Sequence, residues 1–193
     1  MSECSLCRLY RLAVEAARPR RGVRPSFQEW HVIGYLLLAY HGPVGRPTAS
    51  RVLGIGDTAV KTLQRRLREM GVVESRGVVG TGLRGEYVKL VESIGLCQTR
   101  DCIGFDVCAE NLCEGVSSVL RIRDSLVSAG VTPRLILCCS GEPVAPGAPP
   151  GAIREYAGEC LKCVGKKLCI AARLESVLDA AKILYAVARV TCD

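Results

Sequence analysis

Residues 46–91 place the strongest constraint on how this 193-residue chain can fold. A short helix is predicted over about 48–53, with Pro47 at its start because a first helical turn tolerates proline. Gly54-Ile55-Gly56 then forms a turn, and a second helix is predicted over 56–70 with Asp57 as its N-cap. Two helices in this order, followed by a hairpin, form an arrangement that can place one helix in a DNA major groove.

The second of these helices has two contrasting faces. Val60, Leu63, Leu67 and Met70 recur at spacings of three and four, which predicts one buried stripe. Cations and hydroxyls of the kind that contact phosphates and base edges occupy the opposite face. They are Thr58, Lys61, Thr62, Arg65, Arg66 and Arg68. A solvated helix face would have a similar composition, so the elements around the helix decide between the two interpretations.

A glycine-rich hairpin is predicted after the second helix. Strands are expected over 72–76 and 86–91, with a flexible tip over 77–85 that holds four of the chain's glycines. Arg76 and Arg84 would then stand where they can reach a phosphate or a minor groove. An earlier helix is predicted from Phe27 to about Tyr40, with Ser26 as N-cap and Glu29 as its capping-box partner, ending at His41-Gly42-Pro43.

The pattern Val60-x6-Leu67-x3-Gly71-Val72-Val73 resembles the junction of recognition helix and wing in winged-helix transcriptional regulators of the multiple-antibiotic-resistance type. The resemblance covers about residues 26–95 and implies a DNA-binding domain. Residues expected at the DNA are Thr58, Lys61, Thr62 and Arg65 nearest the bases, Arg46, Arg66, Arg76 and Arg84 at the backbone, and Thr48 beside them. Winged helices also serve as protein-docking modules, and that alternative stays open here.

The distribution of charge favours a polyanionic partner for the N-terminal half. The net charge is +7, and residues 1–91 hold 15 Lys or Arg against 7 Asp or Glu, whereas residues 92–193 hold 11 against 12. One basic half beside a nearly neutral half suits a domain that faces nucleic acid. The alternative is an arginine-rich surface on a thermostable protein, since 20 of the 26 cations are Arg and Asn occurs once.

The chain is expected to divide into a DNA-binding domain over 1–95, including an N-terminal extension, and a second domain over 96–193. In the second part the pattern predicts strands near 100–108, 132–139, 142–145 and 167–172, with helices over 117–129 and 174–190. This order indicates an α+β fold, a winged helix-turn-helix followed by a small two-layer α/β sandwich. We expect this domain to sense a small-molecule effector or to form a homodimer.

The segment Ile122-Arg123-Asp124-Ser125-Leu126-Val127-Ser128-Ala129-Gly130, followed by a strand and by Gly-Glu-Pro-Val-Ala-Pro, resembles an archaeal family of uncharacterised proteins. That family pairs an N-terminal winged helix with a C-terminal α+β domain of unknown function. The resemblance follows domain order over nearly the full length and implies a regulator. It supplies no catalytic residues.

Twelve cysteines leave several chemistries open. Cys4-x2-Cys7 and Cys160-x2-Cys163 have the spacing that lets two thiolates share one zinc ion, so these four are the candidate metal ligands. Structural disulfides, a redox switch and buried thiols compete with zinc, and intracellular disulfides are normal in hyperthermophiles. Cys138 and Cys139 are adjacent on a predicted strand and should point to opposite faces.

Sequence patterns for catalysis are weak. No phosphate-binding loop or dinucleotide-binding loop occurs, and the two histidines, His31 and His41, both belong to the first predicted helix region. We therefore expect no enzyme, with a metabolic enzyme carrying an appended winged helix as the alternative.

The longest apolar run, 32–39, is far shorter than the ~20 residues of a membrane span, and no signal peptide is evident. A cytoplasmic protein without a membrane partner is expected.

Overall fold

The computed structural model describes residues 4–20, 22–107, 112, 115–139, 143–149, 151, 153, 160 and 166–192. The first element is helix α1, Ser5–Ala17, which the sequence patterns above did not predict. Leu6, Leu9 and Ala13 are buried at spacings of three and four, together with Tyr10, and this gives the helix one apolar face. The N-terminal extension is therefore part of the core.

Three helices follow at the predicted places with shifted starts. They are α2, Glu29–Tyr40, α3, Arg46–Leu53, and α4, Asp57–Glu69. Helix α2 begins two residues later than expected because Gln28, not Ser26, is its N-cap. The backbone N–H of Gln28 donates to Nδ1 of His31 at 2.8 Å, so His31 caps this helix.

The hairpin after α4 is shorter than predicted. Strand β1, Val73–Ser75, pairs antiparallel with β2, Thr81–Leu83, across a 3-10 turn at Gly77–Val79. The prediction of a second strand over 86–91 is wrong, because helix α5, Gly85–Glu92, occupies these residues. Leu90 and Val91 are the buried residues of α5, and two adjacent residues can share one face of a helix but not of a strand.

The C-terminal half has the predicted order of strands and helices, with one short strand added. Its elements are β3, Cys97–Gln98, β4, Cys102–Phe105, α6, Val116–Ser128, β5, Leu135–Cys139, β6, Pro143–Val144, β7, Leu168–Ala171, and α7, Val177–Cys192. The strands form one antiparallel sheet in the order β3-β4-β7-β5-β6, with β7 in the middle. The α+β class is confirmed.

Alternating residues give this sheet two apolar faces. Ile103, Phe105, Ile136 and Ile170 belong to the main core, which also contains the buried residues of the helices. The opposite face forms a smaller cluster around Leu135, Leu137 and Cys169. Cys138 lies in the first cluster and Cys139 against the second, as their adjacent positions predicted.

Helix α7 joins the two halves of the molecule. It packs against α6 of the C-terminal half and against α1 and α2 of the N-terminal half. Gly34 of α2 lies where this packing is closest: a Cβ there would be 2.9 Å from Leu53 of α3 and 3.5 Å from Ala181 of α7. The helices that carry the candidate DNA residues thus share one hydrophobic core with the C-terminal sheet.

No helix in the described part of the chain combines the length and apolar character that a bilayer crossing requires.

Candidate nucleic-acid interface

Helix α4 has one buried face and one exposed face. Val60, Leu63 and Leu67 are fully buried, while Thr58, Lys61 and Arg65 are exposed and Thr62 is half-buried. The Thr62 hydroxyl donates to the carbonyl of Thr58 at 3.0 Å, which leaves its oxygen able to accept a further hydrogen bond. The side chains expected nearest the bases therefore face solvent along one side of the helix.

The start of α3 lies beside the start of α4. Arg46 and Thr48 are exposed in the first turn of α3, and Nη1 of Arg46 lies 3.6 Å from Oδ2 of Asp57. Gly54, at φ +65°, closes the turn between the helices, and the Ser50 hydroxyl donates to the Ile55 carbonyl at 2.6 Å. Exposed ion pairs contribute about 0–1 kcal/mol, so Arg46 can leave Asp57 for a phosphate at small cost.

One carboxylate serves both arginines of the hairpin. Oε1 of Glu74 lies 2.6 Å from Nη2 of Arg76, and its Oε2 lies 3.8 Å from Nε of Arg84. Val78 and Val79 are exposed at the turn between the strands. The three charged groups together carry a net charge of +1, so the hairpin attracts an anion less than two unpaired arginines would.

A buried polar pair fixes α4 against α2 and the linker before α3. Nε2 of Gln64 donates to the Tyr35 hydroxyl at 2.9 Å and lies 3.5 Å from the carbonyl of Val44. Burial raises the pKa of Tyr35, which keeps the phenol protonated. Sequence reasoning missed this pair, although a glutamine between the apolar positions Leu63 and Leu67 is a signal for a buried polar contact.

Arg66 does not lie on the exposed face, so its expected contact with the DNA backbone from that face is corrected. Arg66 is 5% exposed, and its Nη1 donates to the carbonyls of Ala16 at 2.8 Å and Arg18 at 2.7 Å. The guanidinium also lies over the Phe27 ring, 5.7 Å from its centroid. These carbonyls end helix α1, and a cation is favourable at a helix C-terminus. Arg66 therefore fastens α1 to α4.

The zinc site does not form from the predicted cysteines. Cys7 is bonded to Cys192 and Cys160 to Cys102, and Cys4 is also in a disulfide. A sulfur in a disulfide has no thiolate to offer a metal. The fourth candidate, Cys163, lies outside the described residues, as does Cys108, whereas Cys97 and Cys138 are disulfide-bonded as well. The described candidates, Cys4, Cys7 and Cys160, therefore do not fit a zinc ion.

Two cysteines of the sheet remain thiols. Cys139 and Cys169 place their sulfurs 3.8 Å apart on neighbouring strands β5 and β7. Burial, reinforced by the neighbouring Cys139, raises the pKa of the Cys169 thiol to about 12. A thiol with this pKa is almost fully protonated at neutral pH and reacts slowly as a nucleophile. Among the described residues, no group of three or more potential ligands lies close enough to hold a metal ion.

Three carboxylates of the C-terminal half each lie beside a different cation. Asp101 pairs with Arg134 at 3.7 Å, Asp106 with Lys166 at 3.4 Å, and Asp124 with its neighbour Arg123. Glu142 lies outside the described residues. Exposed pairs of this kind neutralise charge and do not assemble an acid–base dyad.

A separate cavity of about 270 Å³ lies where α2, α5, β3 and the first residue of α7 meet. It is lined by Leu37, Tyr40, His41, Val91, Glu92, Gly95, Leu96, Gln98 and Val177. A small molecule bound there would contact both the helices of the N-terminal half and the edge of the C-terminal sheet.

The fold is similar to that of a solved structure, the hypothetical protein PH0730 from Pyrococcus horikoshii OT3. The two superpose with a TM-score of 0.61 over 86% of this chain and 93% of that chain, at 19% sequence identity. At this identity the likeness concerns the fold alone. No family model matches the chain, and no curated protein matches it.

Proposed function

We propose that this protein is a transcriptional regulator that binds double-stranded DNA through a winged helix made of α2, α3, α4 and the β1–β2 hairpin. The observation that carries the proposal is the open face of α4, where Thr58, Lys61 and Arg65 stand exposed while the opposite stripe is buried. Cations of the preceding helix and of the following hairpin flank it in the chain. This arrangement combines phosphate contacts with side chains able to reach base edges.

The way the hairpin is attached supports the assignment of a winged helix. Val44, between α2 and α3, pairs with Thr81 of β2 through two backbone hydrogen bonds of 2.9 and 3.1 Å. The linker thus adds a third short strand segment beside the hairpin. Because α5 begins at Gly85, the wing is short and its turn comes at Gly77–Val79.

The proposal is tested by fluorescence anisotropy on random duplex DNA, titrated from low to physiological salt. The double variant Lys61→Glu with Arg65→Glu should bind at least about tenfold more weakly, because two cations that face the DNA become anions, and its salt slope should be smaller. Arg121→Glu with Arg123→Glu makes the same change of charge on the exposed face of α6 and serves as the control. Equal losses in both variants would mean that the overall charge of the protein attracts the DNA and that α4 has no special part in binding.

We further propose that the protein acts as a homodimer and responds to a small-molecule effector. Two copies would read two half-sites, which multiplies specificity. The cavity of about 270 Å³ between Leu37, Val91 and Val177 supports the second part, since it touches both halves of the fold. Sedimentation velocity with and without duplex DNA tests the dimer, and a Leu37→Trp variant that fills the cavity should abolish any effector response.

The exposed Val78 and Val79 at the hairpin turn favour one alternative, a protein-docking module. Such a module would bind its partner with little dependence on salt and would not bind duplex DNA. The same titration separates the two functions. An enzymatic role for the C-terminal half has less support, because Asp101, Asp106 and Asp124 lie in separate ion pairs.

A further inference from the structure

The segment between α1 and α2 lies against the outer side of α4. Arg20 and Val23 form a two-way backbone bridge, with both N–H···O distances at 3.1 Å, which fixes a tight turn. Arg20 is ion-paired with Glu69 near the end of α4. Arg66 holds the same segment because its Nη1 donates to the carbonyl of Arg18 at 2.7 Å. The segment between α1 and α2 therefore packs against α4, the candidate recognition helix.

An open cavity of about 670 Å³ lies between this segment and α4. Four arginines and one carboxylate line it, together with two hydroxyls. The lining residues are Arg20, Val23, Arg24, Pro25, Ser26, Thr62, Arg65, Arg66 and Glu69. We call this cavity with its lining residues the arginine cradle. Its formal charge is +3, from four arginines against Glu69.

The charge balance of the arginine cradle points to an anion as its occupant. Arg66 is 5% exposed and its Nε atom has almost no accessible surface, so an anion would be bound by the exposed Arg20, Arg24 and Arg65. Glu69, the one acid in the lining, pairs with Arg20 and lies 3.9 Å from Arg65. Both pairs are exposed and so weak enough to open for a stronger anion.

We propose that the arginine cradle binds a backbone phosphate of duplex DNA, so that Arg20 and Arg24 extend the DNA interface beyond the far end of α4. This inference rests on the proposed function. Arg65 belongs both to the exposed face of α4 and to the cradle, which makes the two surfaces continuous. Arginine suits the role because its planar fork binds phosphate oxygens in pairs. The open form of the cavity admits a polymer strand.

The experiment compares wild type, Arg20→Ala with Arg24→Ala, and Arg121→Ala with Arg123→Ala in anisotropy titrations on one duplex at several salt concentrations. Both double variants lose the same charge from exposed positions. The first should bind about tenfold more weakly, with a salt slope smaller by about 0.9–1.8 for one or two lost phosphate contacts. The second should match wild type.

A third variant tests the same idea in the opposite direction. Glu69→Gln removes the one acid among the cradle's described residues while keeping the size of the side chain, and it should strengthen DNA binding several-fold. Circular dichroism of each variant checks that the helices remain folded.

The outcomes separate the two proposals. If wild type binds no DNA even at low salt, the proposed function fails. If wild type binds and the Arg20/Arg24 variant binds equally well, only the cradle is refuted. Isothermal titration calorimetry with pyrophosphate tests whether the cradle instead binds a free phosphorylated molecule. Micromolar binding that the Arg20/Arg24 variant loses, with DNA affinity unchanged, would make the cradle a site for a free phosphorylated molecule and overturn its assignment to DNA.

Discussion

Gly80 holds the hairpin against the linker before α3, and Gly80→Ala should release it. The residue has φ +124° and ψ −145°, a conformation that side chains other than glycine reach at a cost of about 1–3 kcal/mol. A Cβ at this position would lie 2.6 Å from both the carbonyl carbon and the oxygen of Val44, and 2.8 Å from the nitrogen of Gly45. These contacts are to backbone, which cannot rotate away.

The expected loss in the free energy of unfolding follows from the movement that a Cβ at position 80 would force on the hairpin. Relieving contacts of 2.6 Å requires a separation of roughly 1 Å, since carbon contacts are optimal near 3.5 Å. That movement breaks the two Val44–Thr81 hydrogen bonds of 2.9 and 3.1 Å, worth about 1 kcal/mol each. Together with the backbone strain, Gly80→Ala should lower the free energy of unfolding by about 3–5 kcal/mol.

Gly77→Ala is the matched control, because it lies in the same turn with φ +65° and meets nothing within 4 Å. It should cost only about 1–2 kcal/mol for the left-handed backbone. The assay is equilibrium unfolding in urea with the disulfides intact, followed by circular dichroism. Equal losses in the two variants would show that the hairpin is not seated on Val44, and the reasoning would be refuted.

Three further results are expected. Arg66→Met leaves the carbonyls that end α1 without a donor and should cost about 2–4 kcal/mol, whereas Arg65→Met, exposed on the same helix, should stay within about 0.5 kcal/mol; urea unfolding of both checks this. Cys192→Ser opens a disulfide that spans 185 residues and should cost about 2–5 kcal/mol under non-reducing conditions; no change in the urea midpoint would contradict it. Burial lowers the pKa of His31, so the unfolded state binds more protons, and stability should be full above about pH 6.5 and fall on acidification until the pH is below the lowered pKa. His31→Gln should flatten that part of the thermal-melting profile, and an unchanged slope would mean that other groups cause it.

The sequence predicts best where one periodicity dominates. Helix α4 was placed correctly within a residue or so because Val60, Leu63 and Leu67 repeat with a helical period and glycines stand near both ends. The strands of the five-stranded sheet are predicted for a similar reason, because they are short apolar runs bounded by turn residues. The start of α2 was misplaced because Ser26 matches a capping box, while the backbone instead uses the imidazole of His31.

The errors arise where local pattern and tertiary context compete. Residues 86–91 contain Tyr87, Val88 and Val91, which favour a strand, but the ladder ends when the N–H of Arg84 bonds to the carbonyl of Val72 and the chain enters a helix. Arg66 has the composition of a surface cation, and only the carbonyls of α1, about 50 residues away in sequence, explain its burial. A contact over that distance leaves no local signal.

Cys7 and Cys160 form disulfides, one of the alternatives to zinc, but the sequence could not predict their partners for the same physical reason. A Cys-x2-Cys spacing describes only neighbouring ligands, whereas Cys7 finds its partner 185 residues away at the end of α7. That pairing depends on α1 and α7 lying side by side, and their packing in turn depends on the shared core around α2.

This shared core bears on how the proposed DNA-binding face could be regulated. Helix α2 contacts α7 on one side, and on another its Tyr35 hydroxyl accepts from Gln64 of α4. The cavity near Leu37 borders the same helix, so a molecule bound there would press on α2 directly. Because packed interiors resist deformation, a displacement of α2 would have to be met by movement of α4 or by loss of the Gln64 hydrogen bond. A route for coupling therefore runs through three contacting elements, and no flexible linker between two separate domains is needed.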